Sequence, residues 1–417
     1  MFNYYKELRR KINRFEVKYK DRPKKFALHL AWWTILFLFK KSFTSSVSST
    51  WYKIDEPFTA ADNPAPPAVF DREWFFPPEI PKNKHIYYNI DIALKLNPAI
   101  EGLALIFFMG MGDYFFATPF IEMLRAKYPR LKLYAYASDA EDRTNSRHMA
   151  LLLKTNPNFD KVIVYKGKYN SGYWKNYGYE DAKKYIPENF LGLPVVYDTD
   201  SRIHGRVWTL CQTFSLPEPD ILTPPVLYAG HGLHDDFARL LELLKKNNTE
   251  VVFMQMTSRS SCYQYPHLRE LVEKLLAAGY FVISTDKTGI ADKNYYEVNI
   301  QKININDTVN FLRECKKEGV RVYGLSTASV SWSVSAGLKM PMLGLQHWYD
   351  TVVAGTWFPN IFIISQNRLK NIPASRQFLV PEEEAKLYYN PETIRNQYNF
   401  TTDCVLRCLK KMIEAVK

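Results

Sequence analysis

From Gly102 onward the chain alternates apolar runs of strand length with stretches of helical spacing. Leu103–Met109 is a continuous apolar run, followed by Gly110-Met111-Gly112-Asp113 and a helical pattern through Lys127. Leu131 and Leu133 through Ala137 predict a second strand that ends near Ser138. Met149–Leu153 reads as helix, Lys161–Tyr165 and Leu193–Tyr197 as strands, and Val207–Phe214 as helix. Continuous apolar strands separated by helices imply parallel pairing, because a buried parallel strand needs a crossover and has no solvent face to keep polar.

Leu216–Tyr228, with Pro217, Pro219, Pro224 and Pro225, reads as a linker, and the pattern then restarts. Helices are predicted over Phe237–Lys246, His267–Ala278 and Thr308–Lys317, with strands over Val251–Met256, Tyr280–Thr285, Val320–Leu325 and Met342–Leu345. A Ser-rich helix fits between the last two strands. The expected fold class is therefore α/β, two Rossmann-like doubly wound parallel-sheet domains facing a central cleft. The first covers 101–228 and the second 229–381. The tail, Glu382–Lys417, reads as largely helical and is expected to cross back onto the first half.

The first hundred residues differ. Met1, Tyr5, Leu8, Ile12, Phe15 and Tyr19 lie at helical spacing with Lys and Arg between them, and Pro23 ends the pattern. Phe26–Phe39 is mostly apolar but short for a bilayer span of about 20 residues. Residues 1–41 thus form a basic amphipathic and hydrophobic arm, either an interfacial anchor on an anionic membrane surface or a helical hairpin packed on protein. The Pro-rich stretch 42–100 reads as an extended strap.

Charge sharpens this division. Residues 1–41 hold twelve Lys/Arg against Glu7, Glu16 and Asp21, so +9 of the +12 net charge sits in the arm. The rest of the chain is nearly balanced, which argues against a nucleic-acid-binding body. Five Cys in 417 residues do not make a disulfide scaffold. Cys404 and Cys408 fit one helix face better than a metal knuckle. No G-x-S-x-G or Walker loop is present, so hydrolase and kinase readings lose their usual support.

Three turns carry candidate chemistry. Gly110-x-Gly112-Asp113 lets a ligand approach the backbone and puts an acid at a helix start, although an Asp there is also an ordinary cap. Thr257-Ser258-Arg259 follows the first strand of the second half, where hydroxyls and a guanidinium suit a diphosphate or simply cap the next helix. Ser326-Thr327-Ala328-Ser329-Val330-Ser331 lies between a strand and a helix, suited to phosphate oxygens or to N-capping. His231-x-x-His234-Asp235-Asp236 opens a helix and reads as a dipole partner rather than a metal site.

Taken in order, these stretches resemble the heptosyltransferase family of two-domain (GT-B) glycosyltransferases. Leu105 through Pro119 is similar to its opening strand, G-x-G-D turn and T-P pair, and Arg125 through Pro129 to its R-x-x-Y-P helix end. Asn156 through Tyr165 resembles its N-P-x-x-D-x-V-I-x-Y segment, Thr257 through Pro266 its donor-diphosphate loop, and Ser326 through Pro341 a variant of its donor motif. The similarity spans about residues 102–348. It implies an inverting transfer with no metal and no cofactor, Asp113 acting as general base. Thr257, Ser258, Arg259, Ser326, Thr327 and Ser331 would face the nucleotide diphosphate-sugar, and Asp286 its ribose. The chain departs from the family at Tyr263-Gln264, where a Lys is common, and lacks the Asp and His of the commoner donor motif; that puts ADP-heptose in question more than a nucleotide-sugar as such.

The expected protein is a glycosyltransferase of cytoplasmic bacterial type, peripheral on the inner membrane face, acting on a glycan, glycolipid or protein hydroxyl. Acceptor contacts are expected on variable loops that include Gly167–Pro187. Three alternatives stay open on sequence alone: a catalytically silent binding or assembly protein, a nucleotide-sugar epimerase, and a nucleic-acid-modifying enzyme tethered by the arm.

Overall fold

A computed structural model describes residues 90–107, 110–138, 144–166, 179–195, 210–211, 214–217, 223–230, 232–247, 249–257, 265–300, 302–327, 329–345, 358–365, 372–381, 383–390 and 395–417. The basic arm, nearly all of the strap, most of Val207–Phe214, His231, Ser258, Arg259, Tyr263, Gln264 and the first part of the Gly167–Pro187 loop lie outside the described residues.

The first half contains α1 (Ile90–Leu96), β1 (Gly102–Phe107), α2 (Met111–Lys127), β2 (Lys132–Ser138), α3 (Thr144–Thr155), β3 (Lys161–Tyr165), α4 (Tyr179–Lys183) and β4 (Phe190–Val195). Its sheet is fully parallel, in the order β3-β2-β1-β4. The segment expected to be extended up to residue 100 ends instead in α1, whose Ile90 and Ala93 are buried in the first-half core. Lys127 and Tyr128 both bond Asp91 and hold α1 there, at 2.6 and 2.8 Å.

The second half contains α5 (Asp235–Asn247), β5 (Val251–Gln255), α6 (Leu268–Ala277), β6 (Phe281–Ser284), β7 (Tyr295–Glu297), α7 (Ile305–Lys317), β8 (Val322–Thr327), α8 (Val330–Leu338), β9 (Met342–Leu345), β10 (Ile361–Ser365) and β11 (Gln377–Leu379). These seven strands are all parallel, in the order β11-β10-β9-β8-β5-β6-β7. In both sheets the first strand is central, with later strands added on one side and then on the other. That places a topological switch between β1 and β4 in the first half, and between β5 and β8 in the second. Ligands bind at such crevices in open α/β sheets.

The tail departs from expectation twice. Its first part is an antiparallel hairpin, β12 (Ala385–Asn390) with β13 (Arg395–Phe400), and only α9 (Thr402–Val416) is helical. The helix also stays on the second half. Its Val405, Leu409 and Met412 are buried in one cluster with Val252, Met254 and Leu271. Lys274 of α6 donates to Thr402 and Asp403 at its N-terminus, at 2.8 and 2.7 Å. An amphipathic helix goes where its apolar stripe finds a matching face, and the outer face of the β5–β10 sheet supplies one. Cys404 and Cys408 share that stripe and are buried.

The other face of the second sheet joins the first half in one core. Phe115, Phe120 and Leu124 of α2 belong to the same buried cluster as Phe237, Val251, Phe253 and Phe311. The Pro-rich linker is built into this core. Val226 N–H donates to Thr118 Oγ1 (2.8 Å) and Thr155 to the Tyr228 carbonyl (2.6 Å) on the first-half side. From α7, Arg313 donates to the Leu227 carbonyl (2.6 Å) and Asn310 to the Ala229 carbonyl (3.1 Å). A Cβ at Gly337 of α8 would lie 2.8 Å from the Pro225 carbonyl oxygen, so only glycine lets this helix meet the linker.

Candidate functional site

Each of the three candidate turns lies at the carboxyl end of a strand bordering a switch. Gly110–Asp113 follows β1, Thr257 follows β5, and Ser326-Thr327 ends β8. The first and third are brought together. Helices α2 and α8 pack against each other at their N-termini, and a Cβ on Gly112 would sit 3.3 Å from the Val330 Cα and 3.7 Å from Ser333 Oγ. Both helices are buried along most of their length, α8 with three serines among its buried residues. One turn farther along, Phe116 stacks on Phe358 at 6.0 Å and shares a cluster with Trp332. Gly112 of the G-x-G is therefore a helix-docking position.

Asp113 is the third residue of α2, and its Oδ2 accepts the Gly110 N–H at 3.1 Å. The ordinary capping role is thus present in the structure. Asp113 is partly exposed.

Asp286 lies after β6 and is buried, at 5% exposure. Its Oδ2 accepts the Met256 N–H at 2.5 Å, and its Oδ1 accepts the Thr257 hydroxyl. Burial pushes its carboxyl above the ordinary range, and the Thr257 and Met256 bonds offset only part of that. A ribose contact at Asp286 would have to share a carboxylate that already holds the start of the Thr257 loop. The other end of that loop returns through Tyr265, whose N–H donates to the Met256 carbonyl (2.9 Å) and whose hydroxyl donates to the Phe400 carbonyl (2.8 Å).

Ser326 is fully buried; its Oγ reaches the carbonyls of Gln255 (2.7 Å) and Thr327 (2.6 Å) and lies 2.7 Å from Ser329 Oγ. Ser329 is the N-cap of α8 and accepts the Ser331 N–H at 3.3 Å. The Ser331 hydroxyl donates to Gln255 Oε1 at 2.6 Å. Thr327 is buried beside them. Gln255 is the residue that sequence reasoning passed over. The available signal was a polar side chain ending the apolar run Val251-Val-Phe-Met, at the carboxyl end where an α/β sheet puts its ligands.

Two other candidate stretches brace the first half and lie away from the turns. Arg125 donates to the Asn158 carbonyl (2.6 Å), the Leu131 carbonyl (2.9 Å) and Asp160 Oδ2 (2.6 Å). Burial raises the Asp160 carboxyl, but the Arg125 and Leu133 N–H bonds and the Arg125 charge more than offset it, so its pKa sits below the usual range. His234 Nδ1 accepts the Asp236 N–H at 3.2 Å, a local cap at the start of α5.

No protein-family model matches the sequence, and no curated protein matches it significantly. Among solved structures the chain is similar to the glycosyl transferase family 9 protein from Veillonella parvula DSM 2008, at 10% identity, covering 75% of this chain and 97% of that one, with a TM-score of 0.45. It is also similar to the E. coli ADP-heptose lps heptosyltransferase II, at 12% identity, 76% and 100% coverage and a TM-score of 0.46.

Proposed function

We propose that the protein is an inverting glycosyltransferase that moves a sugar from a nucleotide diphosphate-sugar to a hydroxyl of a glycan, glycolipid or protein. In this reading Asp113 takes the proton of the acceptor hydroxyl while its oxygen bonds the anomeric carbon, and the bond from that carbon to the diphosphate breaks with its electron pair leaving on the diphosphate. Thr257, Ser258, Arg259, Thr327 and the start of the helix at Ser331 form the donor side, where fixed dipoles and one cation stabilise the departing charge without a metal. The observation that supports the reading best is the meeting of the Gly110–Asp113 turn with the start of α8. One half brings a carboxylate, the other a helix N-terminus, and both sit at the ends of switch-point strands.

The test is turnover from a panel of nucleotide-sugars by wild type and Asp113→Ala, with donor binding followed in parallel and with chelator added. Turnover that survives the chelator and is lost in the variant while binding persists supports the reading. Unchanged turnover in the variant moves the base elsewhere. Sugar conversion in the absence of any acceptor would make the protein an epimerase.

The membrane-face location belongs to the same proposal and rests on the charge and spacing of residues 1–41. It predicts binding to anionic liposomes that is lost when 1–41 is deleted. Among the described residues no helix is long and apolar enough to cross a membrane.

A further inference from the structure

We propose that Gln255 is a contact for the donor diphosphate, its side-chain N–H groups standing in for the hydroxyl hydrogens that the neighbouring serines have already committed. The inference rests on the donor reading above. Gln255 and Ser326 are register partners at the carboxyl ends of β5 and β8, the two strands that border the second-half switch. They therefore form the floor of the crevice in which a ligand of this sheet would lie.

A hydroxyl carries one hydrogen. Ser331 gives its hydrogen to Gln255 Oε1, and the buried Ser326 directs its own at the carbonyls of Gln255 and Thr327. An incoming anion would meet the lone pairs of the Ser331 oxygen, which repel it, and would not reach the buried Ser326. Gln255 is complementary. With Oε1 held by Ser331, the free end of its side chain is the amide nitrogen, which carries two donors and no charge to desolvate.

Position agrees with this. Val251 and Phe253 point into the core shared by the two halves, and Gln255 continues the same strand face past the last buried residue. It is half-buried there, beside the N-terminus of α8. That helix end favours an anion by its dipole, and the Gly112–Val330 contact puts the Asp113 turn on the other side of it. The donors beneath the diphosphate are thus the Gln255 amide and the helix end, with the serines holding the amide in orientation.

Full-length protein is titrated by calorimetry with ADP, UDP, GDP and inorganic pyrophosphate, using wild type, Gln255→Glu and Gln255→Met. Gln255→Glu still offers an oxygen to the Ser331 hydroxyl but replaces both N–H donors with negative charge. Gln255→Met keeps the volume and removes both ends. For the probe that wild type binds, the expected result is at least about tenfold weaker binding in each variant, with the larger loss in Gln255→Glu. Should Gln255→Glu fail to fold, Gln255→Met decides alone. Wild-type affinity in the folded variants overturns the inference and leaves the donor reading standing. No binding of any probe by folded wild type overturns both.

Discussion

The two turns that meet at the Gly112–Val330 contact are built on different scales. In the first half the relevant bond is local, Asp113 reaching back three residues to the Gly110 N–H. In the second half the bonds are remote, Ser326 and Ser331 reaching a strand that lies 71 and 76 residues earlier in the chain. The Asp113 bond is set within one turn of its own helix. A turn stitched to a neighbouring strand is set by the sheet, and its side chains orient one another before any ligand arrives. In the proposed reaction the first half would bring the base and the second a preorganised frame.

The largest expected effect tests the first half of this contrast. Asp113→Ala is expected to lower turnover by about 10²–10⁴-fold, the usual contribution of a general base. The Asp113→Asn variant keeps an oxygen for the Gly110 N–H, so it separates the two roles. Turnover should fall as far as in the alanine variant while the melting temperature stays near wild type. An asparagine variant with wild-type turnover would mean that capping is all Asp113 does.

The next effect concerns how the turns are held together. Phe116→Ala removes the ring stacked on Phe358 and is expected to cost about 3–5 kcal/mol in denaturant unfolding. A smaller effect is expected for Gly112→Val, because the added side chain must push back the Val330 backbone. A cost of about 1–3 kcal/mol should appear, with turnover reduced further than stability alone explains. If Gly112→Val were neutral in both measures, the close approach of the two helix ends would have no bearing on the reaction.

The smallest expected effect is a pH dependence in the frame. The folded Asp286 carboxyl titrates above its ordinary value of 3.8 because it is buried. The folded state therefore binds more protons than the unfolded state in the window just above that value. The contribution of Asp286 to stability grows as pH falls through the window and diminishes as pH rises out of it. Asparagine cannot titrate, so the stability of wild type relative to Asp286→Asn should be greater near pH 4.5 than near pH 7. Equal differences at both pH values would mean that the carboxylate is as well solvated in the fold as out of it.

The same contrast of scale explains what could be read in advance. Met342–Leu345 was legible to the residue because a buried parallel strand is apolar throughout, and the edge strand Lys161–Tyr165 because its β-branched run Val162-Ile163-Val164 carries strand preference. Helix starts were less legible: α3, α5 and α7 begin five, two and three residues before the expected Met149, Phe237 and Thr308. The Gly110–Asp113 turn was visible because its bond is local. The Ser326–Ser331 turn was visible as a composition, but not as a network, since nothing near it in sequence names Gln255. The tail was misjudged for a related reason. Tyr388, Tyr389 and Tyr398 carry strand preference, and helical spacing holds only from Thr402 on, where Val405, Leu409 and Met412 are buried on one face. Its docking on the second half depends on which sheet face is left bare, a property of the whole fold. Ile361–Ser365 was missed although it is as apolar as its neighbours, because it follows a long stretch without clear pattern.

The linker has a consequence for recombination. A segment between two sheets is the obvious crossover point for exchanging halves between related enzymes, and it works where the segment touches neither partner. Here the carbonyls of Leu227, Tyr228 and Ala229 are held by Arg313, Thr155 and Asn310, and both halves contribute to one buried cluster. A chimera cut at this site would inherit mismatched walls on each side of the seam. The transferable module is the pair of halves with its linker, and exchange of specificity is better sought in the loops at the strand ends.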